Sequence, residues 1–136
     1  MLKKLNKAPF PYFGGKSRAA SLVWDRFGDV PNYVEPFFGS GAVLLGRPGS
    51  PGTETVNDAD CFLANFWRAL RNHPNSVADL VDWPVNEVDL YARHRWLVAQ
   101  AGELKDRLEA DQDWCDVKIA GWWAWGLCSW IGDGWC

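Results

Sequence analysis

The sequence predicts an α/β fold, the opening part of an open parallel sheet with an all-helical insertion after its second strand–helix unit. Three observations carry this. Short β-rich runs alternate with segments of helical periodicity through the first half. A glycine turn, Phe37-Phe38-Gly39-Ser40-Gly41, joins the first of those runs to an apolar helical start. From Glu87 onward no strand pattern returns, only long apolar stripes at helical spacing.

The elements follow in chain order. Phe10 to Lys16 is an aromatic and glycine loop. Ser17 to Phe27 places Ala20, Val23, Trp24 and Phe27 on one helical face, with Ser17 as the expected cap. Tyr33 to Phe37 reads as a buried strand, and Gly41 to Leu45 as a helix of at least one turn. Arg47 to Gly52 is a loop by its Pro and Gly content. Thr53 to Asn57 is a second strand, ending at Asp58. A helix starting at Asp60 or Cys61 runs to Asn72, with Phe62, Phe66, Trp67 and Leu70 recurring along it. Ser76 to Val81 is a short helical piece broken by Trp83-Pro84. Glu87 to Leu108 carries Leu90, His94, Leu97, Ala101, Leu104 and Leu108 on one face, and Trp114 to Ile131 is a second, more aromatic helical stretch.

Composition bounds what these elements build. A chain of 136 residues holds one ordinary domain with a real core. Apolar content of 48% against 23% charged is that of soluble globular proteins. The net charge of −3 hides an asymmetry, since the first eighteen residues hold Lys3, Lys4, Lys7, Lys16 and Arg18 and no acid. Such an arm suits phosphates, although Lys3, Lys4 and Lys7 read equally well as a solvated tail. A pI near 5.3 excludes a wholly basic nucleic-acid binder but not an enzyme with one basic face. Cys61, Cys115, Cys128 and Cys136 show no metal-binding spacing, and no signal peptide precedes them, so they read as reduced thiols of a cytoplasmic protein. The longest uncharged run, Ile119 to Gly132, is too short to span a bilayer.

Ligands of open parallel sheets sit beyond the carboxyl ends of the strands, where Phe37 to Gly41 lies. Gly39 and Gly41 let the chain turn tightly and let a ligand approach the backbone. Asp58 ends the second strand at about the spacing from which an acid accepts hydrogen bonds from a ribose diol. Together these indicate an adenosine-type ligand. There is no third glycine for a pyrophosphate and no lysine in the turn for a triphosphate. Phe37 and Phe38 offer flat apolar faces instead, and the anion of Glu35-Pro36 beside the loop favours a cationic ligand such as a sulfonium. A purely structural glycine turn is the competing reading.

The segments "PYFGGK", "VEPFFGSGAVLL" and "VNDADCFLANFWRAL", in this order, resemble the N-terminal part of the adenine-N6-specific DNA methyltransferases of the Dam-like (D12, α-class) group. The resemblance covers residues 9 to about 75, and "GWWAWGLCSWIGDGW" is similar, less specifically, to the helix before that group's target-recognition region. It implies a Rossmann-like methyltransferase fold, here a partial sheet, with S-adenosylmethionine as cofactor and double-stranded DNA as substrate. Residues 1–75 would be the N-terminal part of the cofactor-binding domain, and 76–136 the helical insertion leading toward target recognition. Carried over by position, Tyr12 packs on the cofactor, and Gly14, Gly15 and Lys16 form its loop, with Lys16 approaching the cofactor carboxylate or the catalytic loop. Glu35, Pro36, Phe37, Gly39, Ser40 and Gly41 wrap it, and Asp58 binds its ribose hydroxyls.

The group's catalytic Asp/Asn-Pro-Pro-Tyr/Phe motif, which holds the amine of a flipped adenine, has no counterpart, because no two of the eight prolines are adjacent. The expectation is a truncated, inactive methyltransferase with no catalytic residue of its own. The alternatives are a cofactor-binding remnant or half of a split enzyme completed by a second chain. His73 and His94 lack any metal-ligand cluster and read as surface or capping residues, and Ser40 is in no nucleophile elbow. The acids from Glu103 to Asp116 read as a solvated face. The C-terminal tryptophans form either a buried core helix or an exposed aromatic platform for bases or a partner. Part of that helix is expected to lie uncovered, favouring self-association.

Overall fold

The computed structural model describes residues 6–50 and 52–136. Lys3 and Lys4 of the basic arm lie outside the described residues. The chain divides into two compact units, Met1–Ala59 and Asp60–Cys136.

The first unit contains α1 (Ala20–Phe27), β1 (Asn32–Glu35), α2 (Ala42–Leu45) and β2 (Thr53–Val56). The strands pair in parallel, Asn32 opposite Thr53 through Glu35 opposite Val56. Two parallel strands joined through a helix make this an α/β arrangement, and among the described residues the sheet has these two strands alone. β1 alternates, with Tyr33 and Glu35 buried and Val34 exposed, so it is half-buried where a fully buried strand was expected. The core joins Ala20, Trp24, Tyr33 and Val43, with Val23, Val30 and Leu44 packed against it. Trp24 donates its indole N–H to the Val43 carbonyl at 2.7 Å and sets its ring 4.9 Å from that of Tyr33. A buried indole that satisfies its donor in this way fixes α1 against α2.

Two local expectations are corrected. Ser17 does not cap α1; the N-cap is Ala19, without a side-chain bond, and a turn closed by Ala19 N–H to Lys16 O at 3.0 Å precedes the helix. The loop after α2 is more than Pro and Gly punctuation. Arg47, whose side chain is 6% exposed, lies 3.0 Å from Glu54 and 3.5 Å from Asp29 and also donates to the Val30 carbonyl. It ties the start of β2 to the chain entering β1.

The second unit is helical: α3 (Cys61–Asn72), α4 (Pro74–Val81), α5 (Glu87–Ala110) and α6 (Val117–Ser129). Three starts are capped by side chains, Asp60 on Phe62 and Leu63, Asn86 on Asp89, and Asp116 on Ile119. α4 begins at Pro74, two residues before the predicted start, because proline is preorganised for a first helical position. α6 is shorter than the Trp114–Ile131 pattern, since Asp116 caps it and Trp130 leaves it in an extended conformation.

α6 packs against α3, α4 and α5. Its burial settles the two readings of the tryptophans. Trp123 and Trp125 are fully in the core, and seven of the thirteen residues of α6 are buried, so this is a core helix and not an uncovered one. Gly121 permits close approach to α4, because a Cβ there would stand 2.3 Å from Leu80 Cβ. On α5, Leu97, Leu104 and Leu108 are buried as the periodicity predicts. Arg93 joins them, its guanidinium 4.3 Å from the Trp125 ring centroid and 4.7 Å from that of Trp122. Desolvation holds its pKa below the ordinary arginine value. All four cysteines are free thiols, and burial pushes Cys136 up to about 11. No helix among the described residues is long and apolar enough to cross a membrane.

One buried amide joins α3 to α6. Asn65, 0% exposed, donates to Asp116 O at 2.8 Å and accepts from Asp116 N–H at 2.7 Å. Asn65→Ala leaves the half-buried Asp116 N–H and carbonyl without their partner at the start of α6 and is expected to cost about 1–3 kcal/mol, read as a lower urea midpoint at unchanged slope.

Candidate functional site

The end of β1 and the end of β2 are brought together by two further bonds beyond the strands. Asn57 N–H donates to Glu35 O, and Phe38 N–H donates to Asn57 O, both at 2.9 Å. The chain after β1 therefore turns directly beside Asp58. Asp58 Oδ2 accepts the Gly39 N–H at 2.8 Å, which fastens the turn to the end of β2. Gly39 has φ of +54°, and a Cβ on it would stand 3.0 Å from Cδ1 of Tyr12. Both the backbone sense and the approach of the aromatic ring demand glycine there.

Tyr12 comes from a second tight turn. Its carbonyl accepts the Gly15 N–H at 2.8 Å, with Gly14 at φ of +69° in the third position, as a type II turn requires. This turn delivers Tyr12 over Gly39 and sends Lys16 toward β1. Lys16 Nζ donates to the Phe37 carbonyl and stands 2.9 Å from Glu35 Oε1.

Glu35 is 4% exposed. Its Oε2 accepts the Tyr33 hydroxyl at 2.9 Å. Its contact with Lys16 is ionic and off hydrogen-bond alignment, so Oε1 has no hydrogen-bond partner. Burial first, and then the Glu35 carboxylate, push the Tyr33 phenol above its ordinary pKa and keep it a neutral donor. The anion that the sequence places beside the loop is paired in the structure, with the Lys16 ammonium 2.9 Å away.

These turns enclose a cleft of about 230 Å³ in the first unit. Tyr12, Gly14, Gly15, Lys16, Phe37, Gly39, Ser40 and Asp58 line it, eight of the residues singled out in the sequence. Three others do not. Glu35 lies behind Lys16, exposed Pro36 accepts from Asn57 through its carbonyl, and buried Gly41 caps α2. Phe13, Phe38 and Ala42 also line the cleft. Phe13 and Phe37 are 93% and 78% exposed, so they present bare rings at its edge. Phe38 was legible as part of the turn; Phe13 carried no signal beyond its neighbours.

The donor set narrows the ligand. The cleft offers aromatic faces, a carboxylate at a strand end, and Lys16 as the one cation among the described residues lining it. Lys16 is committed to Glu35 and Phe37, so nothing here is arranged to neutralise a polyphosphate. No group of three metal-ligating side chains exists among the described residues. A larger hollow of about 690 Å³ near Pro9, Phe10 and Ser21 is lined by none of the eleven candidate site residues.

A model of the D12 class N6 adenine-specific DNA methyltransferase family matches residues 12–113, from the cleft through α5. No curated protein and no solved structure gives a match.

Gly39→Ala forces a side chain into left-handed backbone and against the Tyr12 ring. The expected cost is about 1–2 kcal/mol from the backbone alone, measured as a fall in thermal midpoint, with the Tyr12 ring displaced from the cleft wall.

Proposed function

Because the chain belongs to the D12 class of N6 adenine-specific DNA methyltransferases, we propose that its aromatic–glycine cleft holds S-adenosylmethionine for methyl transfer to adenine N6 in DNA. The observation that carries this is the joining of the Tyr12–Lys16 turn, the Phe37–Gly41 turn and Asp58 around one cleft. The donor set suits a nucleoside without phosphates. Asp58 takes the ribose hydroxyls, since its carboxylate lines the cleft at the end of β2 and is an acceptor-only group. Tyr12 and Phe37 supply apolar faces to the adenosyl portion. Lys16 donates one N–H to the Phe37 carbonyl, and an ammonium has three, so a further donor reaches the ligand carboxylate. On this reading β1 and β2 are the first strands of a Rossmann-like sheet, with the cleft beyond their carboxyl ends.

When bound, the cofactor supplies a methyl group on a positively charged sulfur. The residues of this chain bind and orient it but provide nothing to hold the amine of a flipped adenine or the charge that develops at N6. No Asp-Pro-Pro-Tyr motif occurs in the 136 residues. On this reading, transfer needs an amine-holding group that the cleft residues do not supply.

Titration calorimetry with S-adenosylmethionine is expected to show one site per chain, weakened about tenfold or more by Asp58→Ala through loss of a charge-assisted hydrogen bond. ATP is expected to bind far less tightly. An equal response to both ligands, or none to S-adenosylmethionine, overturns the assignment. The purified chain is expected to transfer no labelled methyl to unmethylated duplex DNA, and transfer above a no-protein control contradicts that.

A further inference from the structure

The cleft-forming turns are held from behind by a relay that begins in the core. Tyr33 and Glu35 stand two residues apart on β1 and so share its buried face. Among the described residues, the Tyr33 hydroxyl is the hydrogen-bond donor to the Glu35 carboxylate, at 2.9 Å to Oε2. Lys16 meets the other oxygen off hydrogen-bond alignment, so the ion pair alone does not fix the orientation of that carboxylate. The Tyr33 ring, in turn, is fixed by Trp24 at 4.9 Å, and Trp24 by its bond to Val43 O.

Beyond Glu35 the relay reaches the cleft. Lys16 Nζ contacts Glu35 on one side of Pro36 and the Phe37 carbonyl on the other. It therefore sets the direction in which the chain leaves β1 for the Gly39 turn. Tyr33 does not line the cleft. Its hydroxyl acts two contacts away.

We propose that Tyr33 is a positioning residue for the cleft, its hydroxyl orienting Glu35 so that Lys16 holds the Phe37 turn in its binding geometry. The relay stands on geometry alone; its effect on S-adenosylmethionine rests on the function proposed above. Removing the hydroxyl leaves a buried carboxylate oxygen without its donor and frees the carboxylate to turn away from Lys16.

The test is Tyr33→Phe, which keeps the ring against Trp24, with Glu35→Gln and the double variant beside it. The first readout needs no cofactor. Lysines of the full chain are reductively methylated with a 13C label, and the Lys16 methyl resonance is assigned by its loss in Lys16→Arg. In Tyr33→Phe this resonance is expected to move toward that of exposed Lys105, as in Glu35→Gln, while Lys105 stays in place. The second readout is calorimetry, where Tyr33→Phe is expected to weaken S-adenosylmethionine about tenfold, the scale of lost outer-shell support. In a Glu35→Gln background it adds no further loss. An unmoved Lys16 resonance in folded Tyr33→Phe overturns the relay whatever the affinity does. Equal losses from Tyr33→Phe with and without Glu35 overturn the positioning role, since a merely structural effect is additive. If the unmodified chain binds no cofactor, the cofactor assignment fails while the resonance still decides the relay.

Discussion

A carboxylate placed on the buried face of a strand must be compensated where it stands, because no water reaches it and an unpaired charge costs several kcal/mol. Glu35 imposes that constraint on the first unit. It recruits a hydroxyl from its own strand and an ammonium from a loop nineteen residues earlier in the chain. Satisfying it draws the Gly14-Gly15 turn onto β1, and with it Tyr12 onto Gly39. The cleft follows from that demand as much as from any affinity for a ligand. Asp58 completes it from the other strand by fastening Gly39.

Much of this was legible in the sequence, for identifiable reasons. Gly39 and Asp58 could be read because a tight turn after a strand needs glycine, and an acid at the next strand's end is brought beside it by parallel pairing. The register of β1 and β2 places them together as that logic requires. Glu35 was legible as an acid but its partner was not. Sequence shows an acid next to a turn, but not which cation the fold brings to it, and Lys16 is distant in the chain. Ser17 looked like a cap by type alone, yet the turn formed by Lys16 to Ala19 spends the position before the helix differently. Arg47 sat in a loop whose prolines and glycines were conspicuous, while its contacts to Asp29 and Glu54 depend on where β2 pairs.

In the second unit the helical periodicities carried most of the architecture, and the polar residues supplied the specificity. Leucines at three- and four-residue spacing bury themselves whatever the partner. Asn65 and Arg68 decide which partner. Asn65 holds the start of α6, and Arg68 donates to the carbonyls of Leu108, Asp111 and Trp114, closing the end of α5. Arg93 was invisible to a hydrophobicity pattern, since a guanidinium among indoles counts as polar in sequence and packs as an apolar plate.

The placement of Trp24 has a spectroscopic corollary. It is the one indole among residues 1–59, the other nine lying in the helical unit. Locked between Tyr33 and the Val43 carbonyl, it is a private reporter of the cleft-bearing unit. A single fluorine on that ring would give this unit its own 19F signal, set apart from a crowded helical spectrum. The two units then have separately readable melting curves within one unlabelled backbone.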